Sequence, residues 1–170
     1  MRFIKLILIS FLTLGVLVTV ISGLFPSTVI VSRAIDIKAT PEKIAYYVSD
    51  LHHWNEWMSD WKENTVVIKQ DTAFVGTQII SLQRRKENSV IYNWVATGQR
   101  PYVVLFEWIP LKDGTFVVHW SFEQHVKWYP WEKFQTLLNE KLLGSKMELE
   151  LNNLQEAIHG NLGSDSTRFQ

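Results

Sequence analysis

The chain has 170 residues, a length that suits one domain of ordinary size with an appendage. Lys+Arg and Asp+Glu both total 17, so there is no basic excess of the kind that a nucleic-acid partner requires. The absence of cysteine excludes disulfides, thiolate metal sites and cysteine nucleophiles.

The first segment is strongly apolar. No charged residue occurs from Leu6 to Leu24, and Arg2 and Lys5 precede this stretch. A transmembrane helix needs about 20 mostly apolar residues, whereas the apolar part of a cleaved signal peptide has about 7–15. The length therefore predicts that residues 1–25 form a retained single-pass transmembrane anchor, with a cleaved signal peptide as the alternative.

Basic residues suggest how this anchor is oriented. Arg2 and Lys5 lie directly before the span, while Arg33 and Lys38 follow it at a greater distance. The positive-inside tendency then favours a cytoplasmic N-terminus and an extracytoplasmic domain, periplasmic if the source is bacterial. Residues 26–28 form the linker, and its shortness keeps the domain near the membrane surface.

A domain covering residues 29–159 is predicted next. Its first strand is Val29–Ile37, and the sequence Thr40-Pro41-Glu42 then marks a helix start by its N-cap hydroxyl, early proline and acidic first turn. From Thr65 to Gln124, apolar and polar residues alternate, which predicts an antiparallel meander of strands. Its strands are Thr65–Lys69, Thr77–Arg84, Ser89–Thr97, Tyr102–Ile109 and Thr115–Gln124.

A long amphipathic helix of about 25 residues is predicted after Pro130, since apolar residues return at helical spacing. Gly144 interrupts its apolar face and suggests a close packing contact. The tail, residues 160–170, is small and polar and is predicted to be disordered.

Three stretches carry a resemblance to a known family. They are Ser32–Ile37 leading into Ala39–Ile44 with Ser49–Leu51 and Trp54–Trp57; Asp113–Thr115 with Val118 and Trp120; and Leu143-Gly144 with Leu151 and Leu154. Together they resemble the START-like or SRPBCC superfamily, the polyketide cyclase/dehydrase and lipid-transport family. The resemblance implies an α+β helix-grip fold, in which a curved antiparallel sheet wraps a long C-terminal helix and encloses a cavity. The family includes binders, transporters, cyclases and chaperone activators, so the fold alone does not specify a function.

Strand alternation indicates which residues would line such a cavity. Side chains two positions apart share a face, so one apolar, aromatic face is expected to meet the long helix. The predicted ligand-binding residues are Tyr92, Trp94, Phe106, Trp108, Val118, Trp120, Phe122 and, from the helix, Met147. The alternative is that these side chains simply fill a solid core.

Catalytic and metal chemistry receives little support from the sequence. His52 and His53 are adjacent and diverge, and His119 lies on the face opposite Trp120, so no metal site is expected. Glu107 should face solvent, and no paired carboxylates or nucleophile motif can be identified. No catalytic residue and no cofactor are therefore predicted.

The favoured hypothesis is a membrane-anchored START-like domain that binds a hydrophobic small molecule or lipid in an apolar, aromatic-lined cavity. A cyclase- or hydratase-like enzyme of the same fold is one alternative. A partner-binding domain with a filled core is the other.

Overall fold

The computed structural model of the protein describes residues 2–24, 27–98, 100–126 and 129–165. Its first element is helix α1, Arg2–Leu24. The segment Phe3–Ile21 has a mean hydropathy of 2.5 and none of it is buried by the rest of the chain. The hydroxyl groups of Thr13 and Thr19 donate to carbonyl oxygens one turn earlier, both at 2.8 Å, so these polar groups are satisfied within the helix. Helix α1 is thus a candidate single-pass anchor or signal sequence.

A curved, seven-stranded antiparallel sheet follows, in the order β1-β7-β6-β5-β4-β3-β2. The register places the first strand beside the last, with Thr28 opposite His125 and Lys38 opposite Thr115. The strands are β1 Thr28–Lys38, β2 Val66–Lys69, β3 Thr72–Val75, β4 Gln78–Lys86, β5 Ser89–Ala96, β6 Tyr102–Pro110 and β7 Thr115–His125.

Strand β3 is absent from the sequence prediction, which contains six strands. It has only four residues and follows β2 after the two-residue turn Gln70-Asp71, where Gln70 has a φ of 52°. Strand β2 is equally short, but Val66–Ile68 is an unbroken run of β-branched residues, whereas β3 contains Ala73, a residue that strands disfavour.

Helices fill the connection between β1 and β2. Helix α2, Pro41–Ser49, begins as predicted: Thr40 is the N-cap and its hydroxyl accepts from the Lys43 N–H at 3.3 Å. A 3₁₀ helix, Leu51–Glu56, and the short helix α3, Ser59–Glu63, complete the connection.

Helix α4, Pro130–Asp165, has 36 residues and contacts β1, α2 and α1. Its buried positions Met147, Leu151, Leu154 and Ile158 recur at helical spacing. The helix continues through residues 160–165, which the sequence analysis assigned to a disordered tail, and residues 166–170 lie outside the described part. Sheet, long C-terminal helix and apolar N-terminal helix together form the helix-grip α+β fold.

Gly144 is packed against a side chain of β1. A Cβ atom at this position would clash with the guanidinium group of Arg33. That group lies across the helix, where Nε donates to Glu148 Oε1 at 2.5 Å and Nη1 donates to the Ser32 carbonyl at 2.7 Å. The glycine therefore makes room for an arginine between sheet and helix.

Candidate functional site: a cavity at one end of the sheet

The inner face of the sheet carries the aromatic residues that the sequence singles out. In the register, Phe106 lies opposite Trp120, and Trp108 lies opposite Val118. All eight predicted cavity residues are at most 8% exposed. Glu107 and His119 face each other on the outer side, as strand alternation predicts.

One part of the interior is filled. Trp54, from the 3₁₀ helix, is fully buried and packs with ring centroids 5.0 Å from Tyr92 and 5.8 Å from Phe106. Trp57 packs against Phe106 and Trp120 at 6.1 and 6.0 Å. The interior around these rings is therefore a packed core.

Hydrogen bonds to α2 fix this packed part. The Nε1–H groups of Trp54 and Trp57 donate to the carbonyls of Val48 and Tyr47, at 3.4 and 3.2 Å. The Tyr92 hydroxyl donates to the Val48 carbonyl at 2.9 Å, and its burial raises the pKa of Tyr92 well above the usual range. Tyr92 stays neutral at physiological pH, which suits a structural donor.

The other part of the interior contains a cavity of about 320 Å³ between the sheet, α3 and α4. Four of the eight predicted residues line it: Trp94, Trp120, Phe122 and Met147. The other four, Tyr92, Phe106, Trp108 and Val118, are not part of its lining. The residues that the sequence analysis did not predict there are Met58, Asp60, Gln78, Ala96, Tyr102, Leu142, Leu143 and Lys146.

Several polar groups of the cavity are paired, whereas the Nε1–H of Trp120 is buried without a hydrogen-bond partner among the described residues. The Trp94 Nε1–H donates to Gln78 Oε1 at 2.7 Å. Lys146 Nζ contacts the two carboxylate oxygens of Asp60 at 2.6 and 2.7 Å, and these are the charged residues among the described lining. Burial raises the pKa of Tyr102, so its hydroxyl is neutral at physiological pH. The cavity thus combines aromatic walls with a few neutral or paired polar groups.

The cavity lies at the end of the sheet where the chain arrives from α1. Phe122 in its wall pairs with Val31, three residues after the start of β1, and Gln78 pairs with Ala96 at the adjoining ends of β4 and β5. We call this the proximal end of the sheet, and the opposite end, with the β4–β5 turn, the distal end. A second, smaller space in this region is lined by Val29, Val31, Tyr102, Phe122, Gln124, Glu140 and Leu143.

Glu150 is a buried carboxylate that the sequence analysis did not single out. It is 0% exposed, and its two oxygens accept from the Ser59 N–H at 3.1 and 3.0 Å. Asn153 Nδ2 donates to it at 3.2 Å. It thereby caps α3 from another helix and does not line the cavity. The sequence could have identified this residue, because Glu150 is a carboxylate on the apolar face of α4, three residues after Met147 and four before Leu154.

A shallow outer depression of about 330 Å³ lies between α2 and the β4–β5 turn. The rings of Tyr46 and His53 stack there with their centroids 3.6 Å apart, and the Arg85 guanidinium donates to the Ser49 carbonyl at 2.5 Å. Although burial opposes it, hydrogen bonds from the N–H and ring of His52 hold the pKa of Asp50 below its usual range. Across the described residues, no three His, Asp or Glu side chains converge as metal ligands would.

Solved structures share this fold at low sequence identity. A START superfamily protein from Mycobacterium smegmatis superposes with a TM-score of 0.56 at 16% identity, covering 77% of this chain and 97% of that one. The di-domain ARO/CYC protein StfQ of the steffimycin biosynthetic pathway gives 0.60 at 9% identity, covering 80% and 52%. DynU16, from the dynemicin biosynthetic locus, gives 0.56 at 9%, covering 76% and 47%. The chain therefore spans about half the length of StfQ and of DynU16.

Comparison with curated protein sequences finds no match. A family model for polyketide cyclase / dehydrase and lipid transport proteins matches residues 28–159, which include every strand of the sheet and most of α4. The chain therefore belongs to the polyketide cyclase/dehydrase and lipid transport family.

Proposed function

We propose that this domain binds a hydrophobic small molecule or lipid in the cavity at the proximal end of the sheet, while α1 holds the domain at a membrane. The observation that carries the proposal is the cavity itself, which has a volume of about 320 Å³, lies between the sheet, α3 and α4, and is partly open to solvent. This volume is at the lower end of the roughly 300–1,000 Å³ range of small-molecule sites. The family assignment agrees with a ligand-binding or cyclase-like domain.

The ligand would contact the open part of the interior. We assign Trp94, Trp120, Phe122 and Met147 to direct contact, because they line the cavity. The other four predicted residues would hold these contacting side chains in position from within the packed core. They are Tyr92, Phe106, Trp108 and Val118. Since Asp60 and Lys146 neutralise each other, the site favours an uncharged apolar body over a free ion.

The anchor is the second part of the proposal. Helix α1 would span the membrane once, with the N-terminus in the cytoplasm and residues 29–159 as an extracytoplasmic domain. Its apolar length and exposure support a single span, and Arg2 and Lys5 before the span favour a cytoplasmic N-terminus.

Binding without turnover is favoured over cyclase- or hydratase-like catalysis. The carboxylate among the described lining residues, Asp60, is paired with Lys146, and no histidine lines the cavity among them. A general acid or base would need a titratable group free to exchange a proton with the ligand. Glu150 is engaged by the Ser59 N–H instead.

Ala96→Phe is the first test, because it places a ring inside the cavity. We expect this variant of a domain comprising residues 27–160 to lose most of its binding of the apolar fluorescent probe ANS. Ser81→Phe is the matched control, since Ser81 lies on the outer face of β4 between the polar residues Thr72 and Asn93, and the substitution should leave binding unchanged.

Circular dichroism and a cooperative thermal transition check first that the domain and both variants are folded. Equal probe binding by Ala96→Phe and the wild-type domain would contradict the proposed site.

A further inference from the structure

Apolar side chains form a continuous row on the outer face of the sheet. Val67, Phe74 and Ile79 are 46%, 39% and 43% exposed, respectively. The register places Val67 opposite Phe74, Phe74 opposite Ile79, and Ile79 opposite Val95, which is half-buried. Directly opposed Cβ atoms are about 4.5–5.5 Å apart, so these four residues form one surface. We call it the outer apolar row.

The row runs along the proximal end of the sheet. Each member is one residue from the end of its strand, and the adjoining turn residues Gly76-Thr77 and Thr97-Gly98 carry no charge. On the same face and at the same end, Ile30 and Val103 are 58% and 39% exposed.

Both ends of the sheet carry charged residues. At the distal end these are Arg84, Arg85, Lys86, Glu87, Lys112 and Asp113, and at the proximal end they include Lys62, Glu63, Arg100 and Glu123. The exposed apolar residues of the distal end, Ile109 and Leu111, lie at the end of β6 and just after it, and are not part of a row across several strands. The proximal end is distinguished by an exposed apolar row that crosses four strands, which is the kind of surface that marks an interaction site.

The same end is tied to α1. Three residues separate Leu24 from Thr28, and a chain of this length reaches at most about 14 Å. If α1 spans a bilayer, the start of β1 is held within that distance of the lipid headgroups. The row begins on β5, three strands or roughly 14 Å from β1 along the same end of the sheet.

We propose that the outer apolar row rests on the bilayer in which α1 is embedded, as a second membrane contact of the domain. The inference rests on the proposed anchor but not on the proposed ligand. Gln78 and Ala96 line the cavity and directly precede and follow Ile79 and Val95, on the opposite face of the same strands. Docking by the row therefore holds the proximal end of the cavity at the lipid surface.

The chain has no cysteine, so single-cysteine labelling needs no background substitutions. Ile79→Cys carries a nitroxide in the row, and Lys86→Cys carries it at the distal end of the same strand, roughly 20 Å away. The two residues lie on the same face because a bulge between Leu82 and Arg84 shifts the alternation of β4 by one residue. The full chain is reconstituted in phosphatidylcholine nanodiscs. Collision rates of the label with oxygen and with a water-soluble nickel chelate are then measured.

We expect the oxygen-to-nickel ratio to be several-fold higher at residue 79 than at residue 86, because lipid concentrates oxygen and excludes the chelate. Adding Val67→Ser and Phe74→Ser to the Ile79-labelled chain should lower the ratio, with circular dichroism confirming that the sheet is retained. A ratio that does not respond to these substitutions contradicts a contact made by the row.

Equal ratios at the two positions, in chains that remain in the discs, would overturn the docking proposal alone. Exclusion of both reagents at residue 79, with dipolar broadening that grows with the number of chains per disc, would show a second copy on the row and also overturn it. A chain that fails to stay with the discs would overturn the anchor together with the docking.

Discussion

Trp54→Ala is expected to lower the free energy of unfolding by about 3–5 kcal/mol, the usual cost of removing a large aromatic side chain from a core. The side chain is 0% exposed and also loses its hydrogen bond to the Val48 carbonyl. Its ring lies within 5.0–6.1 Å of those of Trp57, Trp61, Tyr92, Trp94 and Phe106. Urea denaturation followed by circular dichroism measures the change.

Trp94→Ala is the matched comparison, because Trp94 borders the cavity while Trp54 does not. Truncation beside existing space loses the transfer free energy of the side chain but creates little additional closed void. We therefore expect a clearly smaller loss of stability at Trp94. Equal losses at the two positions would show that the interior is packed alike throughout, and would contradict the division into a filled and an open part.

Glu150→Ala is expected to destabilise the domain by about 2–3 kcal/mol. The substitution leaves the Ser59 N–H without its acceptor, which costs about 1–3 kcal/mol for a buried group, and removes the cap of α3. Glu150→Gln keeps an acceptor oxygen and the side-chain volume, so its loss should be smaller. Chemical denaturation of each variant provides the measurement.

Glu148→Ala serves as the control for this series. Glu148 lies two positions earlier on the same helix and forms an ion pair with Arg33, in which the Glu148 side chain is 60% exposed and that of Arg33 34%. Exposed pairs of this kind contribute about 0–1 kcal/mol. A Glu150→Ala variant no less stable than Glu148→Ala would mean that the buried carboxylate does not hold α3 in place.

Much of the fold follows from local patterns. Alternation along β5, β6 and β7 correctly separates the inward rings from Glu107 and His119, since a strand side chain has two directions available. The helix start at Thr40 follows from its capping chemistry. These features depend on neighbouring residues, and neighbouring residues are visible in the sequence.

The division of the interior depends on contacts between distant segments. Trp54 and Trp57 belong to the connection after β1, yet they decide which part of the sheet interior is filled. From the sequence, a packed core and a cavity therefore remain alternatives for all eight predicted residues, whereas the structure has both, at different places. Glu150 is a similar case, because its acceptor role depends on the Ser59 backbone, 91 residues away in sequence.

Native mass spectrometry of the full chain, purified from membranes, shows whether the cavity holds a ligand. We expect a bound species in the wild-type protein, and organic extraction should release one class of apolar compound from it. Ala96→Phe should be recovered without that species. A wild-type protein that carries no ligand, or an Ala96→Phe variant that carries the same one, would contradict a ligand-binding cavity at the proximal end.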